Sequence, residues 1–274
     1  MQAGWVSLHA ILLLLFLMRV FTKPILHTFP LDFFHRNRAL MEREDFPLRK
    51  HLSRGRYPQR MMRYFIAHET VRAHQKALGR RIHLIDLGCE RGLLKMLAGD
   101  QIDAYWFGLD WNLTRPTLQS AGYDELHQAD FDAPLPVNDN YADALVSLHV
   151  FEHLPRPEFT ATEIFRVLKP GGIFVMGVPV VPRIFTPLRE KQYRAEMDAG
   201  KRQVGRHINK FHVQRAIRLL TSVGFEVEWW TGTHFLRISG SPMESWPTWV
   251  RMNQWWGWNF PYMGGELYLK ARKP

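Results

Sequence analysis

The stretch Ile82-His83-Leu84-Ile85-Asp86-Leu87-Gly88-Cys89-Glu90-Arg91-Gly92 decides the fold. An apolar run ends at Asp86, a turn carrying Gly88 follows, and Leu93 and Leu94 open a helix-compatible run to Ala98. This is the strand–turn–helix unit that holds a nucleotide-like ligand at the carboxyl end of a parallel strand. Gly88 lets the backbone turn sharply and come close to the ligand. Gly92, at the helix start, lets the helix pack close to the strand, and the free N–H groups there face a carboxylate or phosphate. The spacing reads Asp-x-Gly-x-x-x-Gly, not the Gly-x-Gly-x-x-Gly of dinucleotide sites, which argues against a nicotinamide oxidoreductase.

Working outward, Tyr105-Trp106-Phe107-Gly108-Leu109-Asp110 reads as a second strand, again ending in an acid, 24 residues beyond Asp86. A carboxylate there can accept both hydroxyl hydrogens of a ribose. The segment 126–132 sets Asp130 beside Phe131, and 142–147 reads as a fourth strand running into Leu148-His149-Val150-Phe151-Glu152-His153-Leu154-Pro155. A helical pattern over 158–168 follows, with Ile164, Phe165 and Leu168 on one face. Lys169-Pro170-Gly171-Gly172 stops it, and 173–179 is predicted as the fifth strand. The pattern further predicts a helix over 213–223 closed by Gly224, a sixth strand over 225–230 and a last strand over 266–271.

The turn after Asp86 resembles motif I of the class I S-adenosylmethionine-dependent methyltransferases. Glu152-His153-Leu154 and Leu168-Lys169-Pro170-Gly171-Gly172 are similar to the signatures of the subgroup called type 11. The resemblance implies a doubly wound, seven-stranded, mostly parallel α/β sheet of the Rossmann-like methyltransferase fold. It also implies S-adenosyl-L-methionine as cofactor. Asp86, Gly88 and Gly92 would hold its amino-acid end, Asp110 its ribose, and Asp130 with Phe131 its adenine. One departure stands at Glu90, where the family usually has a glycine: a carboxylate there could crowd the methionine end, unless Arg91 neutralises it or it points to solvent.

Charge and hydropathy divide the 274 residues into three parts. Between Arg19 and Arg81 stand 15 Lys/Arg against 5 Asp/Glu, while the remainder has 21 of each, so the whole +10 resides in that segment. Upstream, residues 3–18 form a 16-residue stretch with no charged side chain, close to the lower limit of roughly 17 for a helix crossing a membrane. Residues 1–22 are therefore expected to be a hydrophobic anchor helix, spanning or lying in the interface. Residues 23–80 read as a basic juxtamembrane segment facing anionic lipid headgroups and ending in a lead-in helix over 57–78. Residues 81–274 form the methyltransferase-like domain, and the flanking cations would keep it on the cytoplasmic side. Nucleic acid is the weaker partner for the basic segment, since no binding motif accompanies it. The single cysteine, Cys89, excludes an internal disulfide.

Five of the ten tryptophans fall between Trp246 and Trp258, on the connection that would leave the sheet at its ligand edge. They are expected to overhang the acceptor side or cover the sheet. The connection over 180–212 leaves the same edge and is the place for acceptor specificity. Methyl transfer needs in-line orientation first and a base only if the nucleophile arrives protonated. His149 and His153 are the best-placed candidates, ahead of His207 and His212. Glu152 reads as structural, Asp132 and Asp143 as turn and strand-entry residues, and no metal ligands are assigned. The chain lacks the Asn/Asp-Pro-Pro-Tyr/Phe run of amino- and amide-directed relatives after its fourth strand, having Ser147-Leu148-His149-Val150. The expected function is methyl transfer to a small hydrophobic or lipid-linked acceptor at the membrane surface. The alternative is a membrane-tethered, non-catalytic binding or scaffold protein on the same fold.

Overall fold

The computed structural model describes residues 57–181, 207–234 and 246–274, with Lys191 and Met243. The expected anchor over 1–22 and most of the basic segment lie outside the described residues. Among the described residues, no helix is long and apolar enough to cross a membrane.

Seven strands make one sheet in the order β3-β2-β1-β4-β5-β7-β6. They are β1 (Ile82–Leu87), β2 (Ala104–Asp110), β3 (Glu125–Gln128), β4 (Ala142–Leu148), β5 (Leu168–Pro179), β6 (Glu226–Gly232) and β7 (Glu266–Arg272). The first five pair in parallel, and β7 runs antiparallel between β5 and β6. Among the described residues the helices are α1 (Tyr57–Leu78), α2 (Leu93–Ala98), α3 (Pro116–Gln119), α4 (Pro157–Val167), α5 (Val213–Val223) and α6 (Pro247–Asn259).

Strand periodicity places the helices. Ile85, Leu87, Phe107, Leu145 and Phe174 point to one face, where Ala161 and Ile164 of α4 and Ala216 and Leu220 of α5 cover them. Their neighbours Ile82, Leu84, Trp106 and Val146 point to the other face, under Ala67 and Val71 of α1 and Leu94 of α2. Both faces are apolar because a parallel sheet is buried on both sides. Local signals set the helix ends. Pro157 stands in the first turn of α4, where its missing N–H costs nothing. The His212 ring accepts from the Arg215 N–H at the start of α5, and Gly224 ends that helix with φ +112°.

One boundary differs from the sequence expectation. Lys169–Gly172 does not separate helix from strand: β5 begins at Leu168, paired with Ala142, and the Lys-Pro-Gly-Gly run is an excursion before pairing resumes at Ile173 opposite Ala144. A parallel neighbour captures Leu168 as soon as α4 ends, which a local window cannot show. The third strand stops at Gln128, so Asp130 lies in the loop beyond it. The Trp-rich α6 packs along β6, where a Cβ on Gly257 would come within 2.5 Å of the Gly232 carbonyl carbon.

Candidate active site

The carboxyl edge of β1, β2 and β4 opens into a cavity of about 980 Å³. Of the residues singled out in the sequence, Asp86, Gly88, Asp110, Asp130, Phe131, His149 and His153 line it. Gly92 does not: it heads α2 with φ +74°, and a Cβ there would lie 2.3 Å from the Ala121 Cβ. Its glycine therefore serves close packing. Gly88 has φ +82°, and an added Cβ would meet Val150 Cγ2 at 2.2 Å, so this turn admits only glycine.

Asp110 closes the turn from the second strand. Its two oxygens accept the backbone N–H groups of Glu90, at 2.8 Å, and Asn112, at 3.0 Å, tying the ends of β1 and β2 together. Each carboxylate oxygen keeps a further lone pair. Asp86 is buried beneath, taking a 2.5 Å hydrogen bond from the Tyr123 hydroxyl. Burial, helped by the nearby Asp110 charge, outweighs that bond and lifts its pKa to about 7. A buried carboxyl with no cation paired to it among the described residues fits the ammonium group of an amino-acid ligand. Asp130 is exposed at the next loop, where its side chain accepts the Asp132 N–H, and Phe131 is largely buried beside it.

Glu90 has φ +47°, the left-handed region usually reserved for glycine, which explains the glycine that motif I prefers there. Its half-exposed carboxylate lies 3.5 Å from Arg115 and 3.7 Å from Arg91. Both cations thus offset its charge. Glu90→Gly is expected to stabilise the fold by about 0.5–1 kcal/mol through relief of this backbone strain. Thermal unfolding would register a small rise in Tm, and a fall would mean that the two arginine contacts outweigh the strain.

The other end of the cavity is a buried charge network that the sequence did not reveal. Glu266, the first residue of β7, accepts from Arg63 of α1 at 2.8 Å and from the Tyr268 hydroxyl at 2.7 Å. His149, itself at φ +59°, lies between two carboxylates, with Nδ1 3.2 Å from Glu152 and Nε2 3.5 Å from Glu266. Burial and the Arg63 charge oppose its protonation, yet the two carboxylates prevail and its pKa is raised. That environment favours the imidazolium, which has no lone pair to take a proton, so the geometry suits His149 to orienting and charge balance. Glu266 is held well below the usual carboxylate range: burial would raise it, but Arg63 and His149 lower it.

Several wall residues had no sequence signal. Trp111, directly after Asp110 and largely exposed, offers a flat ring beside that carboxylate, and its position next to it was the clue available. Arg63, Tyr64, His234 and Glu266 come from segments distant in sequence. None of the described residues lining the cavity is a tryptophan from 246–258, because α6 lies against β6. His207 stands on the wall beside His153, whereas His212 caps α5. Asp143 sits at the opposite sheet edge, paired with Arg80 and Lys169 at 2.6 and 2.9 Å.

Residues 85–176 match the family model described as a methyltransferase domain, type 11. A probable S-adenosylmethionine-dependent methyltransferase of Mycolicibacterium smegmatis is 30% identical over 169 residues, 60% of this chain and 60% of its own. A sterol 24-C-methyltransferase of Gibberella zeae is 28% identical over 189 residues, 65% of this chain and 48% of its own. The chain thus spans between about half and three fifths of these curated relatives. In structure, an S-adenosylmethionine-dependent methyltransferase from Mesorhizobium loti aligns with a TM-score of 0.51 at 18% identity, over 70% of this chain and 90% of that one, a likeness of fold. With its strand order and the Asp86, Gly88 and Asp110 arrangement, the chain carries a class I S-adenosylmethionine-dependent methyltransferase domain of the type 11 subgroup.

Proposed function

We propose that this domain transfers the sulfonium methyl group of S-adenosylmethionine to a small hydrophobic or lipid-like acceptor. The observation that carries the reading is one continuous cavity with two unlike ends. Asp86, Gly88, Asp110 and Trp111 make a nucleoside and amino-acid end. Leu148, Val150, Leu154 and Pro179 lead to the buried network at the other. A bound cofactor supplies an electrophilic methyl group. Asp86 would neutralise its ammonium, Asp110 accept its ribose hydroxyls, and Asp130 face its adenine amino group. Orientation is the main contribution this chain makes to the rate. The similarity to a sterol methyltransferase supports an apolar acceptor. The apolar stretch over 3–18 and the basic segment after it support a tether that brings the domain to an anionic membrane surface on the cytoplasmic side.

The test follows radiolabelled methyl groups from the cofactor through the full chain into a lipid extract and an aqueous metabolite fraction. Label in organic-soluble product is expected, and it should fall sharply when residues 1–30 are deleted while cofactor binding persists. Label confined to the aqueous fraction would overturn the lipid-like acceptor. Equal turnover without residues 1–30 would overturn the tether.

A further inference from the structure

We propose that Glu152, His153 and His207 form a binding site for a divalent transition-metal cation, with zinc the best match, on the acceptor wall of the cavity. One oxygen of Glu152 and one ring nitrogen from each histidine lie within 4.8 Å of one another. Two imidazoles and a carboxylate are a donor set that takes zinc with an open fourth position. All three residues line the cavity, so that position faces the space where the acceptor enters.

A second observation points to a cation. Glu152 is completely buried, and neither of its oxygens receives a hydrogen bond. Its nearest cation, the His149 imidazolium with Nδ1 at 3.2 Å, is shared with Glu266, and His153 Nε2 stands at 3.9 Å. A buried carboxylate is costly unless a full counter-charge meets it, and an imidazolium shared between two carboxylates leaves room for a second cation.

The local architecture holds the three together. Glu152 and His153 belong to the tight 3₁₀ turn Phe151–His153 that follows β4. His207 comes from a segment 54 residues further on, yet that segment is fastened to the same turn. Asn209 donates its backbone N–H to the Glu152 carbonyl at 2.9 Å, and its side-chain amide to the carbonyls of Phe151 and Leu154 at 3.2 and 2.6 Å. Arg215 of α5 donates in turn to the Asn209 side-chain oxygen at 3.2 Å. The clamp brings the His153 and His207 rings to 4.9 Å between centroids, at 79° to one another. Ligand atoms about 2.0–2.2 Å from zinc sit about 3.3 Å apart, so the site closes by side-chain rotation of the exposed His207. The proposal is independent of methyl transfer, since metal binding is read without turnover.

The experiment titrates the metal-free full chain with Co²⁺, following the visible ligand-field absorption, and with Zn²⁺ by calorimetry. One saturable site is expected, with the Co²⁺ spectrum of four- or five-coordinate nitrogen and oxygen ligation. His207→Ala, at an exposed position, is expected to weaken binding by more than about a hundredfold, beyond the 10–100-fold that an outer partner alone supplies. His127→Ala, at a histidine elsewhere on the surface, should leave it unchanged. No saturable site would overturn the proposal, leaving the His149 imidazolium as the sole counter-charge of Glu152. Equal affinity in His207→Ala would overturn it as well, by placing the metal elsewhere.

Discussion

Asp110→Ala is expected to weaken binding of S-adenosylhomocysteine about a hundredfold, while the chain stays folded. In the proposed reading the carboxylate would accept two ribose hydroxyls at the end of β2, and a hydrogen bond to a charged group is worth about 1.5–3 kcal/mol. Losing that pairing amounts to about 3 kcal/mol, or two decades in Kd. Part of the effect passes through the chain itself, because the same oxygens accept the Glu90 and Asn112 N–H groups that shape the turn. Asp110→Asn separates the two contributions. It keeps one acceptor oxygen and most of the steric shape, and so should lie between the natural chain and the alanine variant. Calorimetric titration, with NAD as a ligand expected not to bind, reads the effect. Unchanged affinity in Asp110→Ala would assign this residue to the turn alone.

Glu266→Ala is expected to carry the largest cost in stability, about 3–5 kcal/mol, because it leaves the largely buried Arg63 without its nearest carboxylate. For a chain of this size that corresponds to a fall in Tm of roughly 10 °C. The contact joins α1 to β7 across 203 residues, so its loss loosens the helix that covers one face of the sheet. Removing both charges, as in Arg63→Met with Glu266→Gln, should recover part of the loss, since an uncompensated buried charge costs more than an absent pair. The pH dependence has a definite sign. The folded pKa of Glu266 lies well below its ordinary value, so its stabilisation is complete above the unfolded pKa of about 4.3. It is lost only as pH falls through the lower folded value. Tm measured across pH should therefore show a gap between the natural chain and Glu266→Ala that is constant from neutral pH down to about 5 and narrows in stronger acid. A gap that closed already near neutral pH would show that another group carries it.

The two effects draw on different kinds of information. Asp110 was legible because its position is local: an apolar run of alternating faces ends in an acid, one crossover beyond a glycine turn. The same holds for Asp86, Gly88, the Pro157 start of α4 and the Gly224 end of α5, all set by backbone sterics within a few residues. The antiparallel placement of β7 was legible through the resemblance carried by the ordered motifs. Gly92 was read both as part of the ligand turn and as a close-packing position, and its partner Ala121 emerged only when α2 and the following loop were brought together.

The sequence by itself determined the α/β class, the order of strands along the chain, the acids at their carboxyl ends and the segregation of positive charge into residues 19–81. These follow from side-chain period, glycine conformation and composition, which act over short windows. The tertiary structure decided the remainder. It set Glu90 in a left-handed turn with its carboxylate toward Arg91 and Arg115, drew α6 against β6 away from the cavity, and gathered Arg63, His149, Glu152 and Glu266 into one buried network. Those groups carry no shared local pattern. Their charges meet because the two faces of the sheet must be covered and every buried ion must find a partner, a condition that only the closed fold imposes.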